Sequence, residues 1–171
     1  MTPEFSRVMD IRHIGPAPIA LAANAEERKA LAARFGLVAI NAFEARVTLS
    51  AEGDTITATG RFTADWVQPC AVSGEDLPQQ ADEAVALRFV PSLAQADAEE
   101  EIELSDMEVD EIEYSGTSFD LGEALAQSLA LAIDPFAAGP EAERARKTAG
   151  IVDESATGPF AALAGLKLTK D

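Results

Sequence analysis

Between Glu44 and Trp66 the chain alternates with a period of two on both sides of a Glu52-Gly53-Asp54 turn. Ala45, Val47, Leu49 and Ala51 alternate with Glu44, Arg46, Thr48 and Ser50. After the turn, Ile56, Ala58, Gly60, Phe62, Ala64 and Trp66 alternate with Thr55, Thr57, Thr59, Arg61, Thr63 and Asp65. Period two sends successive side chains to opposite faces, and a Gly-containing connection reverses direction, so the segment is a β-hairpin with one apolar and one polar face. Whatever else the chain does, it must cover that apolar face.

The neighbouring segments supply the cover. Asn24 followed three residues later by Glu27 forms a helix N-cap signal, Arg28, Leu31, Ala32 and Phe35 keep helical spacing, and Gly36 is a stop, which predicts a helix over Ala25 to Phe35. Asp120 with Glu123 is an Asp-x-x-Glu cap, and Leu121, Leu125, Leu129 and Ile133 form an i, i+4 stripe ended by Asp134-Pro135, which predicts a second helix over Leu121 to Ile133. A strand is expected over Glu83 to Val90, closed by Pro91, while Pro69 limits how far the second hairpin strand pairs. An opening strand over Phe5 to Ile14 ends at Gly15-Pro16-Ala17-Pro18. Beyond Pro135 the composition turns to Ala, Gly, Pro and mixed charge, so Ala137 to Gly158 reads as a linker.

The fold class is therefore α+β: a predominantly antiparallel twisted sheet or partial barrel, two packed helices and a mobile C-terminal tail. The expected organisation is one domain over 1–136 and a flexible tail over 137–171, with a short amphipathic motif at 159–168.

Charge is the second strong signal. The 171 residues carry 13 Lys+Arg against 30 Asp+Glu, a formal charge of −17. Twelve of those carboxylates fall between Asp97 and Glu123, and no Lys or Arg occurs between Arg88 and Arg144, so the acidity is largely one regional feature. Such a run is either a solvated face or a docking surface for a basic partner. Ile102, Leu104, Met107, Val109, Ile112 and Tyr114 are interleaved with the carboxylates, so Glu101 to Leu104 and Glu108 to Tyr114 read as short edge strands with one wet face, an inward carboxylate row being too costly. The overall charge repels phosphate backbones and speaks against direct RNA binding.

Catalytic and metal chemistry is sparse. The single Cys70 excludes an intramolecular disulfide and a multi-cysteine cluster, and the single His13 excludes a multi-histidine site. No Gly-rich phosphate loop or Gly-x-Ser-x-Gly elbow occurs. Cys70 reads as a small hydrophobe at a strand end, and Trp66, Phe62 and Phe89 as core residues in preference to RNA-stacking faces. Asp97 to Glu113 lacks the spacing of a calcium loop, so no metal and no cofactor is expected. Glu4 and Asp10 interrupt the start of the chain, so export is not expected. The longest weakly polar stretch, Pro16 to Ala25, is about half the ~20 residues of a membrane helix. A cytoplasmic location is expected.

Three places resemble one family, the YceD-like family described in bacteria as the large ribosomal RNA subunit accumulation protein. They are the Asp120-to-Pro135 helix with its ending, the Trp66-to-Cys70 strand end with Ser73, and the terminal run from Gly158 to Lys167. Many members of that family carry a Cys-x-x-Cys pair near Cys70 and two further cysteines after the Leu-rich helix, a pattern that suggests zinc. Here Ser73 and Phe136-Ala137-Ala138-Gly139 occupy those places, and Asp134 replaces an apolar or small residue, so the chain resembles a cysteine-poor variant in which packing replaces the metal.

The resemblance implies a non-catalytic factor in accumulation or processing of large-subunit ribosomal RNA. The charge adds a partner, a basic ribosomal protein or rRNA-processing factor, docked through Glu99, Glu100, Glu101, Glu103, Asp106 and Glu108. Phe160, Leu163, Leu166 and Lys167 are expected to make a tail contact, either on the chain's own sheet or on the partner. A monomer is expected. The alternative is an acidic nucleic-acid mimic that inhibits a nucleic-acid-binding enzyme; a hydrolase ranks third for want of a constellation.

Overall fold

The computed structural model describes residues 3–92 and 110–150. The described residues form two compact units, one built from 3–68, 78–92 and 110–134, the other from 69–77 and 135–150.

The first unit is built on an open five-stranded sheet of order β2-β3-β4-β5-β6: β2 Ile19–Ala22, β3 Ala39–Glu52, β4 Thr55–Pro69, β5 Asp76–Pro91 and β6 Asp110–Tyr114. β1 Val8–Asp10 and β7 Ser118–Asp120 form a separate antiparallel pair. The expected hairpin is β3–β4: Glu52 pairs with Thr55, leaving Gly53 and Asp54 as a two-residue loop. Gly53 takes φ +62°, the left-handed conformation that such tight hairpin loops require. The inward rows are those of the alternation, with Phe43, Val47, Leu49, Ile56, Phe62 and Trp66 all buried. Gly60 faces Val47 in this register, and a Cβ on it would collide with the Arg46 carbonyl oxygen, so the two strands approach as only glycine allows.

α1 spans Ala25–Phe35 as expected. The Asn24 side chain accepts from the Glu26 and Glu27 N–H groups, Glu27 returns a carboxylate to the Asn24 N–H, and Gly36 closes the helix. α2 spans Leu121–Ala132, with Asp120 accepting from the Glu123 N–H. Leu121, Leu125 and Leu129 are fully buried among the inward sheet residues. Burial of each such side chain stabilises by about 1.5–3 kcal/mol, which is why the stripe determines the helix position.

Four expectations change. The opening strand is confined to Val8–Asp10, because the Asp10 carboxylate accepts the Arg12 N–H and folds Ile11–His13 into a single 3-10 turn. β5 begins at Asp76, earlier than Glu83, and the short edge strand β2 is an addition to the expected elements. The β5–β6 pair is parallel within a sheet expected to be predominantly antiparallel, whereas β2–β3 and the expected β3–β4 hairpin are antiparallel. Finally, the first part of the expected linker contains α3, Ala142–Thr148. In the second unit, Ala142 packs with Cys70, Leu77, Val72 and Ala137, and the Ala71 N–H donates to the Ala137 carbonyl. The Gly139 N–H donates to the Cys70 sulfur and the Ala142 N–H to the Gly139 carbonyl, so main-chain hydrogen bonds together with the buried Ala142 hold a segment whose composition looks like linker.

Candidate functional site

The ten residues expected to make contacts, Glu99, Glu100, Glu101, Glu103, Asp106, Glu108, Phe160, Leu163, Leu166 and Lys167, lie outside the described residues. The expected strand over Glu101 to Leu104 lies outside them as well, and so does the amphipathic motif at 159–168. The C-terminal end of the acidic segment is described as β6, at one edge of the sheet. Asp110, Glu111 and Glu113 are exposed there, Tyr114 is buried and Ile112 is partly buried against the core, so this edge strand has the wet and dry faces that its alternation requires. Glu111 meets Arg88 at 3.4 Å, Glu113 accepts from the Ser92 hydroxyl, and the Tyr114 hydroxyl donates to the Asp54 carbonyl at 2.5 Å, fixing β6 to the hairpin end. Three exposed carboxylates within four residues make this edge a negative rim.

The residues weighed for chemistry are held by local structure. His13 is exposed, with its Nδ1 3.8 Å from the Asp10 carboxylate. Trp66, Phe62 and Phe89 are 3%, 1% and 1% exposed, which removes them as stacking platforms and assigns them to the core. The Trp66 indole N–H donates to the buried Gln68 at 2.8 Å.

Cys70 is more unusual. It is buried, and its sulfur accepts from the main-chain N–H groups of Ser73 at 3.3 Å and Gly139 at 3.4 Å. Hydrogen bonding from the Ser73 side chain, reinforced by the main-chain N–H groups of Ser73 and Gly139, pulls the thiol down to about 6. A single sulfur that accepts from the main-chain N–H groups of Ser73 and Gly139 does not fit a four-sulfur zinc centre. Cys70 is instead buried in an apolar cluster with Leu77 and Ala142. Among the described residues no group of three or more His, Cys, Asp or Glu side chains is arranged to hold a metal, and no helix is long and apolar enough to cross a membrane.

Sequence reasoning misses the outer face of the hairpin, where Arg46 of β3 and Arg61 of β4 stand directly opposite each other. The signal is present in the alternation, which puts both arginines on the polar face; the register that pairs them follows from the two-residue loop. Arg61 is held by Asp82 at 2.7 Å, whereas the Arg46 side chain makes no hydrogen bond or ion pair among the described residues.

No curated protein and no solved structure matches the chain. Residues 58–167, which include most of β4, the Cys70 turn, the acidic segment, α2 and the terminal run from Gly158 to Lys167, match the family described as Large ribosomal RNA subunit accumulation protein YceD. That match covers well over half of the chain, and the expected helix-ending motif and Cys70–Ser73 turn both fall inside it. The chain belongs to the YceD family, named for accumulation of the large ribosomal RNA subunit.

Proposed function

We propose that this chain is a non-catalytic, cytoplasmic factor in accumulation or processing of large-subunit ribosomal RNA, and that it works as a monomer by docking a basic ribosomal protein or processing factor. The observation that carries the reading is the charge map: twelve carboxylates between Asp97 and Glu123, and no cation from Phe89 to Glu143. A single-sign field of that density accelerates encounter with a cationic surface and rejects polyanions. Glu99, Glu100, Glu101, Glu103, Asp106 and Glu108 form the docking segment. The exposed carboxylates of β6 next to it in sequence support a solvent-facing role for its end. Phe160, Leu163, Leu166 and Lys167 add a specific tail contact. Assembly is where such a device is useful, because ribosomal proteins carry cationic surfaces that associate indiscriminately with RNA until they are placed.

The test is an affinity pull-down of the tagged full chain from native lysate at about 0.1 M salt, where the Debye length is ~10 Å, with and without ribonuclease. The reading predicts recovery of a basic ribosomal protein or processing factor that survives ribonuclease. Recovery of protein partners only while RNA is intact contradicts it, and recovery of one stoichiometrically inhibited nuclease replaces it with mimicry.

A further inference from the structure

We infer that the outer face of the β3–β4 hairpin is a phosphate-contact surface for RNA, centred on Arg46 and Arg61. The inference rests on the family's connection with ribosomal RNA and is independent of the acidic docking segment.

Four observations carry it. Arg46 and Arg61 are directly opposed in the antiparallel register, which brings their Cβ atoms to about 5 Å, and like charges so placed disfavour the sheet unless something else uses them. Both are exposed, and Arg46 has no partner among the described residues. Arg61 donates twice to the Asp82 carboxylate and once to its main-chain carbonyl, but the pair is solvent-exposed on both sides, 60% and 64%, where an ion pair contributes little against a competing oxyanion. Beside the arginines the edge strand β2 presents only Ala20 and Ala22 outward, and these small residues leave an open depression of about 550 Å³, with Glu44 and Thr63 at its far end.

The chemistry selects the ligand. Two guanidinium groups approached across alanines, with the exposed hydroxyls of Thr59 and Thr63 on the same face, form a donor-rich surface suited to phosphodiester oxygens. Every hairpin aromatic points into the core, so there is nothing here for a base to stack on. The contact therefore reads backbone and carries no sequence preference. A net charge of −17 does not forbid it, because at physiological salt the field of carboxylates beyond about 8 Å is screened; of the two carboxylates that line the depression, Asp82 is paired with Arg61 and Glu44 lies at the far end. A factor that holds a basic protein with one segment and touches RNA phosphate with another face would bring the two together.

The test uses the full chain and a fluorescent single-stranded RNA of about 12 nucleotides, followed by anisotropy at low salt. Arg46→Glu is expected to weaken binding about tenfold or more and to lower the slope of log K against log salt by about 0.7 for each phosphate no longer neutralised. Asp82→Asn, which removes the negative charge beside Arg61, is expected to tighten binding about threefold. Arg46→Gln serves where Arg46→Glu fails to fold, and melting curves establish that each variant is native. Binding of Arg46→Glu within twofold of the parent overturns the inference, as does absence of RNA binding by the parent. Stronger competition by polyglutamate than by RNA overturns it in favour of an acidic protein partner. Charge reversal in the acidic segment leaves this RNA affinity undiminished even if the docking proposal is wrong, so the two fail separately.

Discussion

The side-chain amide of Gln68 donates to the backbone carbonyl of Asp134 at 2.6 Å, tying the end of β4 to the end of α2 across 66 positions of sequence. The same side chain accepts from the Trp66 indole, so a buried glutamine joins a strand, a core aromatic and the helix-ending motif. Gln68→Leu leaves the indole N–H buried and unpaired and removes the donor to Asp134. A loss of about 2–3 kcal/mol in urea unfolding is expected. A change below about 0.5 kcal/mol would show that water replaces the amide without cost.

Gly60 gives a prediction whose sign separates register from propensity. Alanine is ordinarily preferred to glycine in a strand interior. Here its Cβ would overlap the Arg46 carbonyl oxygen and lie 2.7 Å from the Val47 Cα, both of them main-chain atoms that cannot rotate away. Gly60→Ala is expected to destabilise by about 3 kcal/mol. Stabilisation, read from the melting temperature, would contradict the register.

How much of this is legible in the sequence depends on range. α1 is legible to the residue because Asn24, Glu27 and Gly36 act within one turn of the helix ends, and α2 because Leu121, Leu125 and Leu129 repeat on one face. The hairpin is legible because both its rows and its loop are contiguous. The pairings of β1 with β7 and of β5 with β6 join residues far apart or reverse the expected direction, and neither alternation nor composition encodes a partner. The start of β5 is hidden by Pro78 and the polar Gln79 and Gln80, and α3 because a single buried residue, Ala142, anchors it. Of the functional face, the charge is legible, but the Arg46–Arg61 opposition needs the register.

Acid should unfold the first unit partly through Glu27 and Glu123. The Arg7 guanidinium, at 2.7 Å, holds the Glu27 carboxyl below its usual range near 4.5, and Arg34 at 2.8 Å does the same to Glu123. A carboxylate depressed in the folded state contributes stability that is present above its unfolded pKa and lost as pH falls through the folded value. The urea midpoint should therefore hold from pH 7 to about 5 and fall below about 4.5, with a shallower fall in Arg7→Gln. An identical acid limb in that variant would remove the pair from the explanation.

Cys70 should titrate as a thiolate without metal. The thiolate ultraviolet absorbance of the folded chain is expected to rise through about pH 6, and to be absent in Cys70→Ser. The sulfur's amide donors and apolar cluster require no ion, so a chelator should leave the melting temperature unchanged. A thiol that stays protonated past its ordinary value near 9, or a melting temperature lowered by chelation, would contradict this structure of the turn.

The central claim is tested most directly in cells lacking the protein, by measuring large-subunit relative to small-subunit ribosomal RNA after reintroducing a variant with Glu99, Glu100, Glu101, Glu103, Asp106 and Glu108 changed to lysine. The account predicts that this variant, with its melting temperature nearly unchanged, fails to restore the large-subunit RNA that the parent chain restores. Full restoration by the charge-reversed chain would contradict it.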